Sequence, residues 1–279
     1  MMRTGDGPVA PKSEKRHIAD FWEASACGEV YALGSEQRHQ FRNQAEARYA
    51  LEPYILDFAR FAEGAGREVL EIGVGMGADH EKWAEAKPSR LVGVDLTWRA
   101  VLLTRARLQL GGHPVRVLVG DAERLPFSAT RFDLVYSYGV LHHSPQTSHA
   151  IRELARVIRS GGVCRVMIYH RHSLVGWLLW VRYALLRGMW GLTLSDVYSQ
   201  YLESPGTKAF TVREAREMFS DFSEVQTRAK LGFGDLLQGE VGQRHRGLAL
   251  SILKRLWPRW LLKRFDGRIG LGLLIEAQK

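Results

Sequence analysis

Short apolar runs alternate with stretches of helical periodicity in the middle of this chain, and this alternation constrains the fold more than any other feature. Each run is bounded by Gly or Asp, and the runs lie at residues 68–72, 90–94, 115–119, 132–137 and 162–168. Strands that alternate with helices form crossover units, in which helices cover both faces of a parallel sheet. The pattern therefore predicts an α/β fold.

Weaker signals extend this core towards both ends. Residues 150–158 are predicted to form the clearest intervening helix, because their apolar side chains share one face and Gly161 with Gly162 follows. Two later strands are predicted at residues 225–230 and 271–277. Helical periodicity before residue 64 predicts a helical cap, and the Gly- and Pro-containing start is expected to be a tail.

One structural domain of five segments is expected, because 279 residues with 46% hydrophobic content suit a single enlarged α/β domain. The segments are a flexible tail (1–15), an N-terminal helical cap (16–66), the core (67–170), a helical insertion (171–222), and late strands with a basic helical insertion (223–279).

The densest motif is the run E-I-G-V-G-M-G at residues 71–77, directly after the first predicted strand. Glycines allow a sharp turn and a close approach of the backbone to a ligand. Asp95 lies 18 residues beyond Gly77, at the end of the second predicted strand, where a carboxylate can bind ribose hydroxyls. A dinucleotide-binding unit would look similar, because Gly73, Gly75 and Ala78 nearly satisfy its glycine pattern.

The motifs further along the chain distinguish a dinucleotide-binding unit from other folds with the same glycine-rich turn. They are G-D-A-E-R-L-P-F at 120–127, F-D-L-V-Y-S at 132–137, V-L-H-H at 140–143 and R-S-G-G at 159–162. With them, residues 69–168 resemble the class I S-adenosylmethionine-dependent methyltransferases, especially the subgroup that includes the ubiquinone and menaquinone biosynthesis methyltransferases.

The resemblance implies a Rossmann-like fold with a seven-stranded, mostly parallel sheet, whose antiparallel strand residues 271–277 could supply. It also implies S-adenosylmethionine as cofactor, S-adenosylhomocysteine as product, and no metal. The cofactor-binding residues that it implies are Glu71, Gly73, Gly75, Gly77, Asp95, Leu96, Asp121, Ala122 and Tyr138. Glu71 could equally be a carboxylate that orders the loop.

Methyl transfer needs an acceptor in line with the methyl group, and a hydroxyl acceptor must also lose a proton. His142 and His143 follow the fourth predicted strand and are the candidate bases, although each could instead bond a loop carbonyl. A zinc site at these histidines is not expected, because no carboxylate or cysteine lies at a suitable local spacing.

Eight side chains are candidates for contact with the acceptor. They are Tyr31, Tyr49, Tyr169, His170, His172, Trp177, Trp180 and Lys208. For Tyr49 the alternative is core packing, because it lies at a core-like helical position. For Lys208 the alternative is a solvated lysine in the loop before a helix at residues 212–219.

The acceptor itself is expected to be hydrophobic, because the insertion is rich in Trp and Leu. Residues 174–189 read as an apolar helix that Arg182 and Arg187 interrupt too soon for a bilayer span. Its apolar surface could form an acceptor pocket, a membrane-facing surface or a homodimer interface. We therefore expect a natural-product, quinone-like or lipid-like acceptor.

The net charge of +9 favours partners such as nucleic acid, an anionic membrane or an acidic substrate. A basic helix at residues 243–265 would suit peripheral contact with anionic lipid. RNA methylation is the alternative, although no N-P-P-Y run follows the fourth strand, so nucleic acid is not the expected acceptor.

Another alternative is that S-adenosylmethionine is used for a reaction other than methylation. Two cysteines and no apolar leader indicate a cytoplasmic protein.

Overall fold

The computed structural model describes residues 11–238, 255 and 257–279. Seven strands form one sheet in the order β3-β2-β1-β4-β5-β7-β6. The strands are β1 (Glu68–Ile72), β2 (Arg90–Asp95), β3 (Val117–Val119), β4 (Phe132–Tyr138), β5 (Ile158–Tyr169), β6 (Glu224–Lys230) and β7 (Gly272–Gln278). Neighbours from β3 to β5 pair in parallel, whereas β7 is antiparallel to both β5 and β6. The predicted Rossmann-like fold is confirmed.

Helices cover the sheet and its carboxyl edge. They are α1 (Pro11–Ala24), α2 (Gln37–Leu51), α3 (Tyr54–Ala59), α4 (Ala78–Glu85), α5 (Trp98–Leu110), α6 (Thr147–Val157), α7 (Leu174–Tyr183), α8 (Leu194–Tyr201), α9 (Val212–Met218) and α10 (Arg259–Lys263). Short 3-10 turns lie at Glu29–Tyr31, Phe61–Gly64, Leu141–His143 and Leu185–Arg187. Most of the basic helix predicted at residues 243–265 lies outside the described residues.

Apolar side chains pack on both faces of the sheet, as a crossover fold requires. On one face, Leu154 of α6 and Phe219 after α9 join the buried residues of β4 and β5. On the other face, Ile55 of α3 and Trp83 of α4 pack against β1 and β4. Burial of such side chains stabilises the fold by about 1.5–3 kcal/mol each, so the sheet is held rigidly from both sides.

Three element boundaries differ from the sequence predictions. Helix α6 ends at Val157 because residue 158 already begins β5, in which Gly161 adopts φ 76°. The apolar stretch at 174–189 is not one helix: α7 ends at Tyr183, and Gly188 with φ 69° ends the 3-10 turn that follows. Helix α1 begins at Pro11, inside the segment expected to be a tail. Among the described helices, none has the length and apolar character needed to cross a bilayer.

Candidate functional site

A cavity of about 760 Å³ lies at the carboxyl ends of the parallel strands, the usual position of ligand sites in open α/β sheets. Residues that follow β1, β2 and β3 line one part, which we call the cofactor half. Residues that follow β4 and β5, together with helices α2 and α7, line the other part, the acceptor half. Helix α1 covers both, since Lys15, Ile18 and Trp22 all line the cavity.

The glycine-rich turn forms the floor of the cofactor half. Gly73, Gly75 and Gly77 adopt φ values of 83°, 52° and 78°, which side chains rarely tolerate. A Cβ atom at Gly73 would lie 2.1 Å from the Val140 side chain, and one at Gly77 would lie 2.9 Å from Thr104. The turn can therefore keep this shape only with glycine at these positions.

Asp95 joins the turn to the end of β2. Its Oδ2 atom accepts a hydrogen bond from the Gly75 amide (3.1 Å), and Oδ1 accepts from the amide and hydroxyl of Thr97 (3.0 and 2.9 Å). Burial raises the pKa of Asp95, although these hydrogen bonds oppose the shift. The carboxylate both braces the loop and lines the cavity.

The third acidic position, Asp121, connects the cofactor half to helix α1. Oδ2 of Asp121 accepts a hydrogen bond from Lys15 Nζ (2.6 Å), and Oδ1 accepts from the Glu123 amide (2.9 Å). Lys15 also lies 2.5 Å from the Glu123 carboxylate. All nine residues predicted to bind the cofactor line the cavity, including Leu96, Ala122 and Tyr138.

Glu71 has a partner that the sequence did not reveal. Its Oε2 atom lies 2.8 Å from Nδ1 of His80, and both side chains are buried. Burial raises the pKa of Glu71 well above its usual value and lowers the pKa of His80 to about 3. Glu71 is therefore held in place by a buried neighbour, which supports the loop-ordering role that the sequence left open.

A second buried network, centred on Asp79, was not predicted. Arg48 binds the Asp79 carboxylate through two atoms (2.8 and 2.6 Å), and the hydroxyls of Tyr49 and Tyr136 also donate to it (3.0 and 2.9 Å). The position of Asp79 in the first turn of α4, two residues beyond Gly77, is the signal that could have found it.

His143 enters the acceptor half, whereas His142 does not line the cavity. Nε2 of His143 lies 3.5 Å from Oε2 of Glu203, and its Nδ1 contacts the hydroxyls of Ser204 (2.8 Å) and Thr207 (3.2 Å). His142 is buried with both ring nitrogens lacking a partner among the described residues. Burial lowers the pKa of His142 well below its usual value.

The acceptor half contains further groups that sequence reasoning missed. Oε1 of Glu52 accepts a hydrogen bond from Tyr54 (2.8 Å), whose hydroxyl lies 3.1 Å from that of Tyr138. Oε2 of Glu203 accepts from Tyr169 (2.9 Å). Apolar lining comes from Val175, Leu178, Leu179 and Leu202. Neither Glu52 nor Glu203 belongs to a sequence motif, and only the fold brings them here.

Among the candidate acceptor contacts, only Tyr169 lines this cavity. Tyr49 instead binds Asp79, and Tyr31 lies in the 3-10 turn before α2. Lys208 donates a hydrogen bond to the Ser144 carbonyl (2.9 Å) and lines a smaller, separate pocket.

The remaining four candidates lie on or behind the insertion. Trp177 is 48% exposed and stacks near His172, while Trp180 donates to the Leu192 carbonyl (2.7 Å). His170 is buried beside the Gly270 carbonyl (3.3 Å). The helix turns Val175, Leu178 and Leu179 to the cavity instead of the tryptophans.

One group of potential metal ligands occurs among the described residues: His142, His143 and Glu203, whose ligand atoms lie within 4.8 Å of one another. The sequence argument against a metal rested on local spacing. The fold removes that objection, because it places the Glu203 carboxylate, from a distant segment of the chain, beside the two histidines. Nδ1 of His143 is already held by the Ser204 and Thr207 hydroxyls.

Comparison with known proteins places this site in context. Residues 70–166 match the family described as "Methyltransferase domain". Erythromycin 3''-O-methyltransferase of Saccharopolyspora erythraea is 36% identical over 166 residues, which cover 57% of this chain and 53% of that protein. The 27-O-demethylrifamycin SV methyltransferase of Amycolatopsis mediterranei is 34% identical over 100 residues, 35% of this chain and 37% of that protein. The chain thus spans about half the length of these relatives or less.

A solved structure extends the likeness to nearly the whole fold. Phosphoethanolamine N-methyltransferase 2 of Haemonchus contortus, in complex with phosphomonomethylethanolamine and S-adenosylhomocysteine, matches this chain with a TM-score of 0.58. The match covers 94% of this chain and 60% of that chain, with 16% sequence identity. At this identity the likeness concerns the fold alone.

Proposed function

We propose that this chain, whose residues 70–166 match a methyltransferase domain family, transfers a methyl group from S-adenosylmethionine to a hydrophobic small molecule. The observation that carries the proposal is the single cavity, in which a glycine-rich cofactor half adjoins a largely apolar acceptor half. One cavity that holds both reactants can align them, and alignment of this kind contributes about 7–11 kcal/mol to catalysis.

The cofactor half suits an adenosine-containing ligand in shape and charge. Gly73 and Gly77 keep space clear that a Cβ atom would fill, so the backbone can approach the ligand closely. Asp95 stands at the end of β2, where a carboxylate binds ribose hydroxyls, and Asp121 stands at the expected adenine position. S-adenosylmethionine supplies an activated methyl group on a sulfonium.

The acceptor half supports a hydroxyl as the methylated group. In this proposal the acceptor hydroxyl donates its proton to Nε2 of His143, and the nearby Glu203 carboxylate stabilises the imidazolium that forms. Val175, Leu179 and Leu202 exclude water and pack against the rest of the acceptor. The names of the two relatives describe O-methylation of natural products, which favours an acceptor of that type.

The same proposal has the enzyme act in the cytoplasm with peripheral contact to an anionic membrane. Leu186 and Trp190 of the insertion are 76% and 73% exposed, and Arg182 and Arg187 lie beside them along the chain. Apolar and basic side chains together favour the surface of an anionic bilayer. RNA is a weaker candidate as acceptor, because Glu52 and Glu203 would repel its phosphates.

Calorimetric titration tests the proposal first, with S-adenosylmethionine, S-adenosylhomocysteine and NAD as separate ligands. We expect saturable binding of the first two and none of NAD. Binding of NAD alone would refute the proposal, because it would indicate a dehydrogenase-type site. Transfer of a radiolabelled methyl group to lipophilic hydroxyl compounds, compared with RNA, then tests the acceptor class.

A further inference from the structure

The acceptor half is acidic, in contrast to the protein as a whole. The Glu203 side chain is 38% exposed and lines the cavity, while its Oε2 atom accepts one hydrogen bond from Tyr169. Glu52 also lines the cavity and accepts a hydrogen bond from Tyr54. Burial raises the pKa of Glu52, but a carboxyl group that accepts one hydrogen bond keeps further acceptor capacity in either protonation state.

The basic side chains that line the cavity within the described residues are engaged elsewhere. Lys15 binds Asp121 and Glu123 in the cofactor half. Arg48 is bound through two atoms to Asp79. Arg182 belongs to the insertion, where its guanidinium lies 5.4 Å from the centre of the Tyr183 ring. The charge of Arg48 also acts on Glu52, so of these two carboxylates only Glu203 has no lysine or arginine partner among the described residues.

The surrounding groups respond to this excess of negative charge. Burial, followed by the charge of Glu203, raises the pKa of the Tyr169 hydroxyl well above its usual value. Tyr169 therefore stays protonated and donates its hydrogen bond to Glu203.

Aromatic rings complete the environment. Tyr54, Tyr138 and Tyr169 line the acceptor half, as does Trp22, whose ring lies 5.2 Å from that of His143. Ring faces attract a cation, particularly where water is excluded, and two of these rings already show it: Arg48 lies 5.0 Å from the centre of the Tyr138 ring and Lys230 lies 5.4 Å from that of Tyr54. Carboxylates set among aromatic rings in an apolar cavity are a combination that recognises an organic cation.

We propose that the acceptor carries a protonated amine, which binds to the carboxylates of Glu52 and Glu203 against the tyrosine rings of the acceptor half. This inference rests on the proposed function, since it concerns the second substrate of the same cavity. The amine is a recognition group in this proposal, and the methylated atom is the hydroxyl beside His143. An ionised carboxylic acid in the same place would be repelled by Glu203, and a neutral acceptor would not compensate the charge of Glu203.

The test uses three probes with the same alkyl chain: n-octylamine, 1-octanol and octanoate. Each is titrated at neutral pH into the full-length protein, both free and saturated with S-adenosylhomocysteine. We expect n-octylamine to bind at least about tenfold more tightly than 1-octanol, because its hydrogen bonds to the carboxylates are charge-assisted. Octanoate is expected to bind most weakly.

Two variants and one control locate the effect. Glu203→Gln and Glu52→Gln should each reduce the preference for the amine about tenfold while leaving the affinity for 1-octanol unchanged, which shows that the cavity is intact. Glu85→Gln, a change at an exposed carboxylate of α4 that pairs with Lys82, should leave the preference as it is.

Equal binding of amine and alcohol by the unmodified protein would overturn the inference. So would a preference for the amine that both glutamine variants retain. Loss of S-adenosylhomocysteine binding is a separate outcome that contradicts the proposed function, because the amine preference is also measured in the cofactor-free protein.

Discussion

Nε2 of His143 lies 3.5 Å from Oε2 of Glu203, where the 3-10 turn after β4 meets the segment after α8. The hydroxyls of Ser204 and Thr207 hold Nδ1 on the opposite side of the ring. Desolvation in the cavity alone would raise the pKa of Glu203, but its contacts with His143 and Tyr169 lower it overall. An ionised carboxylate therefore faces an imidazole whose orientation is fixed.

This geometry predicts different effects for the two adjacent histidines. His143→Gln should lower kcat about 10² to 10⁴-fold, the usual contribution of a general base. His142→Phe should keep kcat within about tenfold of the original, because the His142 ring stacks 3.8 Å from that of Tyr169 and makes no hydrogen bond within the described structure. Steady-state kinetics with an identified acceptor measure both, and equal losses would contradict the assignment.

Treatment with a chelator distinguishes the role of His143 as a general base from metal binding at the same residues. If His143 acts as a base, turnover should be unchanged after dialysis against EDTA. Loss of turnover that added Zn²⁺ restores would instead indicate an ion held by His142, His143 and Glu203.

The Arg48–Asp79 pair predicts a pH dependence of stability. Burial would raise the pKa of Asp79, but Arg48 and the tyrosine hydroxyls lower it overall. A lowered pKa in the folded state means that the carboxylate stabilises the protein above about pH 4 and that this contribution is lost as the pH falls further. Urea unfolding from pH 7 to pH 3 should show a larger loss in the original protein than in Asp79→Asn, in which only the other carboxylates with lowered pKa values, such as Glu63 and Glu123, contribute.

The same variant predicts a large effect at neutral pH. Asp79→Asn should lower the free energy of unfolding by about 3 kcal/mol, because it leaves the Arg48 guanidinium buried without its countercharge. Glu85→Gln, which breaks an exposed pair with Lys82, should cost less than about 1 kcal/mol. A similar cost for both variants would mean that the buried network does not stabilise the fold.

The glycine-rich turn predicts a graded response to alanine. Gly73→Ala should lower stability by about 1–3 kcal/mol more than Gly75→Ala, because its new Cβ atom would overlap Val140 whereas a Cβ at Gly75 meets nothing within 4 Å. Both positions share a positive φ, so the comparison isolates the overlap. Thermal unfolding with and without S-adenosylhomocysteine measures the difference between the two variants. Equal shifts in Tm would argue against a close approach of residue 73 to Val140.

The position of Asp95 predicts that its removal weakens the binding of ligands that contain a ribose. Asp95→Ala should weaken binding of S-adenosylhomocysteine by about 1–3 kcal/mol. Because Asp95 also braces Gly75 and Thr97, titrations with adenosine and with adenine separate the two roles. A larger loss for adenosine indicates ribose contact, whereas equal losses would leave Asp95 with the loop-bracing role alone.

Lys15 predicts how firmly the N-terminal helix is held. Lys15→Met should increase hydrogen exchange across α1, because both of its ion pairs join that helix to the segment after β3. Partly buried charged hydrogen bonds contribute about 1.5–3 kcal/mol, so exchange should accelerate at least about tenfold. Exchange at α6, which Lys15 does not contact, serves as the internal reference, and unchanged exchange in α1 would refute the role.

Local sequence patterns were sufficient for the core of the fold. The five strands β1 to β5 lie where short apolar runs predicted them, because a strand buried on both faces needs such a run. The two later strands, β6 and β7, also lie where they were predicted. The cofactor half could be predicted equally well, since Gly73, Asp95 and Asp121 lie at or just after the carboxyl ends of β1, β2 and β3. Parallel strands bring these ends to one edge of the sheet.

The acceptor half could not be predicted in the same way. Helix α7 is apolar on nearly all sides, so its sequence carries no signal for the face that meets the cavity. The sequence favoured Trp177 and Trp180, whereas the structure presents Leu178 and Leu179. Glu52 lies just after α2 and Glu203 just after α8, so no local spacing in the sequence relates them to one another.

The contrast between the protein's net charge of +9 and the carboxylates of its acceptor half has a kinetic consequence. At long range the basic surface repels an aminated acceptor, whereas the carboxylates attract it only at short range inside the cavity. Added salt screens the long-range repulsion more strongly than the buried contacts. The association rate of such an acceptor should therefore rise with ionic strength while its dissociation rate changes little, the reverse of electrostatic steering.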